Sequence, residues 1–208
     1  MRSDPRMLAG LLVFVAAAQF FVGMLIAEAL YPDYSISDNY ISDLGATCTD
    51  TGCVIYQPTA NIFNASVILL GLLAVIGAYL FWRASHQMVF PILLLITGVG
   101  AMGVGLLPET AGVAHSIVSA ITFVFGGVSA LWSYTIVKSP FRYVSVILGA
   151  VGLIALVLYI ARVTLGLGVG GMERMIVYPE LLWALGLGTY LMAPFPAEVS
   201  AASTSRPL

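Results

Sequence analysis

Polar residues are sparse in this chain and fall in bands, and between the bands run unbroken stretches of apolar side chains. Six stretches, at residues 7–30, 59–82, 88–107, 111–137, 143–162 and 175–192, are each long enough to cross a hydrocarbon core, which takes roughly 20 helical residues. The second ends on Phe81-Trp82-Arg83, placing an aromatic and a cation where headgroups would lie. These are continuous runs rather than the short alternating segments of a membrane β-barrel. The expected architecture is an all-α integral membrane protein, a bundle of six transmembrane helices. One domain is expected over residues 1–195, with a disordered cytoplasmic tail at 196–208. Arg2 and Arg6 before the first stretch, and Ala27-Glu28-Ala29 near its end, have the outline of a signal peptide. Its apolar length exceeds the roughly 7–15 residues of a signal core, so a retained helix is expected.

Composition sharpens this picture. The 208 residues are 60% hydrophobic and 9% charged, which excludes an ordinary soluble domain. A net charge of −2 with scattered cations argues against a nucleic-acid partner. The cations set an orientation: Arg2, Arg6, Arg83, Lys138 and Arg142 fall on one side, and short loops bearing Lys and Arg stay in the cytoplasm. A cell-membrane protein with both termini cytoplasmic is therefore expected. Asp33, Asp38, Asp43, Asp50 and Glu109 fall outside, and the fifth loop is mixed, with Arg162, Glu173 and Arg174.

The first outer loop, residues 31–58, is much the longest connection and rich in Asp, Ser and Tyr, so an ordered cap is expected there. It holds both cysteines, Cys48 and Cys53, which on an oxidising side are expected to form a disulfide. No metal site is expected, because two cysteines need further ligands and neither His is in this loop. No cofactor is expected either; His86 and His115 lie on opposite sides, which argues against haem. Glycines at 98, 100, 103, 105, 126, 127, 149 and 152 are expected to let helices pack closely. A faint likeness between residues 58–66 and 108–116, each with a proline near a helix start, gives little support for two three-helix halves.

The remaining polar groups gather near the outer helix ends. Glu28 closes the first helix; Asn61 and Asn64 share a face of the second, and His115 and Ser119 a face of the fourth. Glu173 and Glu180 stack on one face of the sixth, near Arg174 and Tyr178. A carboxylate two turns into a membrane helix is costly unless it faces protein, water or a partner, and Arg162 at the same level is the expected partner of Glu180. Glu28, Asp38, Asp43, Asn64, Glu109, His115, Arg162, Glu173, Arg174 and Glu180 are expected to line one outward-facing pocket. Each also has a plainer role: asparagines and serines cap helices and shape turns.

The stretch Ile36-Ser-Asp-Asn-Tyr-Ile-Ser-Asp-Leu-Gly45, with Pro58, Asn61-Ile-Phe-Asn64 and Glu173-Arg-Met-Ile-Val-Tyr-Pro-Glu180, resembles a family of archaeal and bacterial six-helix membrane proteins catalogued as domain of unknown function 998. That resemblance covers the chain from helix one to helix six and implies a six-helix fold without an activity. More distantly, Tyr40-Ile-Ser-Asp-Leu-Gly45 with Phe63-Asn64 is similar to the outer-loop motif of GPI-lipid remodelling proteins and damage-regulated autophagy modulators, which implies a lipid-facing role.

Three functions fit these residues. One is binding or modifying a lipid headgroup at the outer leaflet. There His115 would act as general acid or base, oriented by Asp38, Asp43 or Glu109, and Arg162 and Arg174 would clamp a phosphate; Asn64, Glu173, Tyr178 and Glu180 would complete the binding surface. Ser37 and Ser42 are conceivable nucleophiles. The second is a small-solute or ion transporter, against which stands the lack of polar groups in the cytoplasmic half. The third is a non-catalytic scaffold in which the polar cluster is structural. The expected partners are membrane lipids, with a lipid or small molecule in the pocket; the oligomeric state is left open.

Overall fold

The computed structural model describes residues 4–193, so the tail expected at 196–208 lies outside the described residues. Six helices, α1 (Pro5–Leu30), α2 (Thr59–Ser85), α3 (Val89–Leu106), α4 (Val113–Trp132), α5 (Phe141–Ile160) and α6 (Gly168–Met192), carry nearly all of the fold. All six, α4 with its 3-10 extension to Thr135, are long and apolar enough to cross a membrane. Each packs against its neighbours in the chain, and α6 closes back on α1, so the helices form a ring. The outer surface is apolar too: Ile147, Ile154 and Val157 of α5 are exposed, as lipid-facing residues would be.

Helix contact is made close by glycine. Gly10 of α1 and Gly188 of α6 face each other so tightly that a Cβ on either would lie 2.7 Å from the other's carbonyl oxygen. Gly149 of α5 sits in the same way on the Gly127 carbonyl of α4, where an added Cβ would stand 2.8 Å away. Small residues bring backbones together where dispersion, not the hydrophobic effect, drives helix association. At one end of the ring Phe81, Phe90 and Trp183 pack edge to face, with centroids 5.1 Å and 6.4 Å apart. At the other, Phe20, Met24, Ile41, Leu44 and Phe63 form the core beneath the long first loop.

That loop is ordered. It holds a 3-10 turn at Ser42–Leu44 and a two-stranded hairpin, β1 (Thr47–Thr49) with β2 (Gly52–Val54), in which Cys48 pairs with Cys53 and the two form a disulfide. The largest departure from the expected boundaries is α6, which begins at Gly168 rather than near 175. Its first turns, Gly-Val-Gly-Gly-Met-Glu-Arg, are too polar and glycine-rich to read as a span. They are helical because they pack under the loop: the Gly170 N–H donates to the Ser37 carbonyl at 2.9 Å. α4 also departs, starting after a 3-10 turn at Glu109–Ala111 and passing into another at Ser133–Thr135.

Candidate functional site

Glu173 and Arg174 are consecutive on α6, so their side chains leave the helix about 100° apart and reach different neighbours. Arg174 turns toward α1. One guanidinium nitrogen donates to Glu28 Oε1 and to the Tyr34 hydroxyl, both at 2.6 Å. The other donates to the carbonyls of Ile36, Asn39 and Gly170 at 3.0–3.2 Å. Arg174 is 4% exposed, and Glu28–Arg174 is the one salt bridge among the described residues. This clasp ties residues 34–39 to the bundle through the Ile36 and Asn39 carbonyls, which no sheet or helix satisfies. Burial pushes the Tyr34 hydroxyl well above its ordinary range, against the pull of Arg174.

Glu173 turns the other way and accepts a short hydrogen bond from the Ile41 N–H. Asp43, two residues on, accepts from Asn39 Nδ2 at 3.0 Å and from the Tyr40 N–H at 2.9 Å. Burial raises the Asp43 carboxyl above the usual carboxylate range, and those two bonds only partly offset it. Glu109 reaches the same loop from the 3-10 turn before α4, accepting from Ser42 Oγ at 2.5 Å and from the Cys48 N–H at 3.3 Å. Burial raises its carboxyl as well, with the Ser42 bond pulling down and Asp43 pushing up.

Between α4, α5 and the loop these groups line a half-open chamber of about 440 Å³, whose polar walls include Glu109, Glu173, His115, Ser42, Tyr40 and Tyr159. His115 Nδ1 lies 2.7 Å from the Leu107 carbonyl. A carbonyl only accepts, so this nitrogen carries a proton, and in the neutral ring Nε2 is free to accept from Ser119 Oγ at 3.3 Å. Behind the chamber a narrower cavity of about 110 Å³ runs along the ring axis, walled by α1, α2, α3, α4 and α6. Ser42, Ser119, Phe123 and Glu173 line both spaces. The inner one is almost wholly apolar and ends against Leu94 and Trp183, whose indole N–H is spent on Ser133 Oγ at 3.0 Å. Its hydroxyls are spent too: Thr97 and Thr122 donate to their own helix carbonyls at 2.9 Å and 2.8 Å.

Glu180 lies in that inner cavity. Its Oε1 is buried and has no hydrogen-bond partner. The carboxyl fits because Gly126 of α4 faces it; a Cβ there would stand 2.8 Å from its carboxyl carbon. The expected Glu180–Arg162 pair does not form. Arg162 follows α5 as an exposed residue with φ +58° and lines neither cavity.

The ten residues expected in one pocket are thus divided. Glu109, His115 and Glu173 meet in the chamber, and Glu180 sits below it. Glu28 and Arg174 are consumed by the clasp. Asp43 caps the loop turn, and Asp38 is exposed, bonded to Ser35 Oγ at 2.7 Å. Asn64 packs its amide oxygen against Gly45, and Tyr178 packs on Phe21 of α1 with centroids 6.2 Å apart. No carboxylate orients His115; the Leu107 carbonyl does. No arginine lines the chamber, so the expected phosphate clamp is not assembled. Tyr159 was not foreseen as a lining residue; in the sequence it is one of several aromatics near helix ends, and only the approach of Tyr40, at 6.0 Å between centroids, marks it out.

The model of a family described as a protein of unknown function, DUF998, matches residues 14–200. No curated protein and no solved structure matches the chain. These comparisons do not show the more distant likeness to GPI-remodelling and autophagy-modulator proteins.

Proposed function

The chain belongs to the DUF998 family, and since that membership brings no activity with it, we propose from the geometry that this multi-pass membrane protein binds a membrane amphiphile head-first at its loop end. The observation that carries this is the junction of a polar chamber with an apolar blind shaft across a shared wall of Ser42, Ser119, Phe123 and Glu173. A head with hydrogen-bonding groups suits Glu109, His115 and Tyr159, and its tail suits the shaft. The cation pattern of the short loops supports a loop end outside the cell membrane and both termini in the cytoplasm, so the ligand would be drawn from the outer leaflet. His115 is the group placed to exchange a proton with a bound head, with Ser119 beside it. Transport fits less well, because the shaft stops against Leu94 and Trp183 and a conduction path needs polar groups or a gate through its whole depth.

Native extraction followed by lipidomics on the wild type, His115→Ala and Glu180→Gln tests this. The wild type should retain one amphiphile class selectively, and both variants should lose it. The same unselective lipid profile in all three would overturn the proposal.

A further inference from the structure

The chamber holds two carboxylates, Glu109 and Glu173, and no Lys or Arg among its lining residues. The nearest guanidinium by sequence, Arg174, leaves α6 on the other side and is committed to Glu28, Tyr34 and three carbonyls. A buried carboxylate is costly without a counter-charge or a full set of donors. Glu173 has the Ile41 N–H, and Glu109 has one donor on each oxygen, whereas each carboxylate can accept about four hydrogen bonds. Beside them Tyr40 and Tyr159 stand nearly perpendicular, with an interplanar angle of 74°, as two walls of a corner. Two tyrosine rings and two carboxylates around one space are the chemistry that recognises an organic cation.

Resting on the amphiphile proposal above, we infer that the head is cationic: a long-chain amine or quaternary ammonium whose nitrogen lies between Glu109 and Glu173 against Tyr40 and Tyr159. The shaft sets the tail. From Glu173 to Ala184, both of which line it, α6 advances about 16 Å, the length of roughly a dozen methylenes, and since the shaft's volume is about 110 Å³ a chain of that length would enter by parting the apolar side chains along it. Independently of the chamber, Glu180 lines this shaft with its buried Oε1 unpartnered, an acceptor that a ligand's polar group could meet. Raised by burial, the Glu109 carboxyl would gain from a neighbouring cation, which favours its charged form.

Trp183 lines the shaft and provides the probe. The protein would carry Trp82→Phe and Trp132→Phe, leaving Trp183 as the only tryptophan, in lipid nanodiscs. It would be titrated with dodecyl chains brominated at the terminal carbon and bearing an amine, a hydroxyl or a phosphate. The amine should quench Trp183 with an affinity at least about tenfold tighter than the alcohol, the factor a single desolvated cation contact supplies, and the phosphate should be weakest. Glu109→Gln and Glu173→Gln together should abolish that preference while the alcohol still quenches. Glu109→Gln alone, on the half-buried residue, should reduce it if the double variant does not fold. Equal quenching by amine and alcohol, or preference for phosphate, would overturn the cationic head and leave the amphiphile proposal standing. No quenching by any chain would overturn the amphiphile proposal itself.

Discussion

Two regions of α6 bury ionisable side chains six residues apart and treat them oppositely. In the clasp, Arg174 spends its terminal nitrogens on five acceptors, a carboxylate, a phenol and three carbonyls, and it holds the irregular stretch at residues 34–39, which lies outside the loop's hairpin. In the shaft, Glu180 faces apolar walls and a glycine, with an oxygen left bare. A cation whose terminal nitrogens make five bonds to a loop and its neighbours is structural even with its Nε left unpaired; an unmet acceptor in an open space marks a place kept for something else. The difference teaches that burial alone does not distinguish a site from a strut. The partner count does.

Arg174→Met should break this comparison most visibly. It strands the Glu28 carboxylate and frees the loop carbonyls of Ile36 and Asn39, and removal of one member of a buried pair costs about 3–5 kcal/mol. Thermal unfolding in detergent should show the loss, and adding Glu28→Gln should recover part of it. A melt unchanged by Arg174→Met would mean that the clasp does not hold the loop.

Glu180→Leu should act with the opposite sign. An unsatisfied buried polar group costs about 1–3 kcal/mol, so its replacement by an apolar side chain should raise the melting temperature while ligand retention falls. Destabilisation on the scale of Arg174→Met would show that Glu180 is a structural group like its neighbour.

The smallest effect concerns pH. Asp43 and Glu109 have folded-state carboxyls raised above their ordinary values, chiefly by burial. The folded protein therefore holds these protons more tightly than the unfolded chain does. Their stabilisation is complete below the ordinary carboxylate range and is lost as pH rises through the raised folded values. Melting temperature should decline across that window, and Asp43→Asn, which keeps an oxygen acceptor for Asn39 and Tyr40, should flatten the decline. An identical slope in the variant would remove Asp43 as its source.

Much of the bundle was legible along the chain because a membrane demands one thing of each span, and the runs of apolar residues meet that demand one by one. The boundaries of α2, α3 and α5 fall within three residues of the expected ones. α6 was cut short by seven because Gly168 to Arg174 are helical for a reason outside the helix, the loop that Gly170 and Arg174 hold. The candidate site was half legible. Sequence placed Glu109, His115 and Glu173 at one end of the bundle, and the structure brings those three together. It could not show that Arg174 turns from Glu173, since consecutive helical residues diverge and only the identity of each neighbour settles their partners.

Sequence by itself determined the number of helices, the membrane class and the end of the bundle where polar groups collect, because spacing and composition are local properties. Tertiary structure alone decided that Arg174 is a strut and Glu180 an open acceptor. It decided too that Arg162 stands apart and that Tyr159 joins Tyr40. Those outcomes depend on which helix faces which in the closed ring, and on the distances of a few ångströms over which charge is satisfied or left unmet.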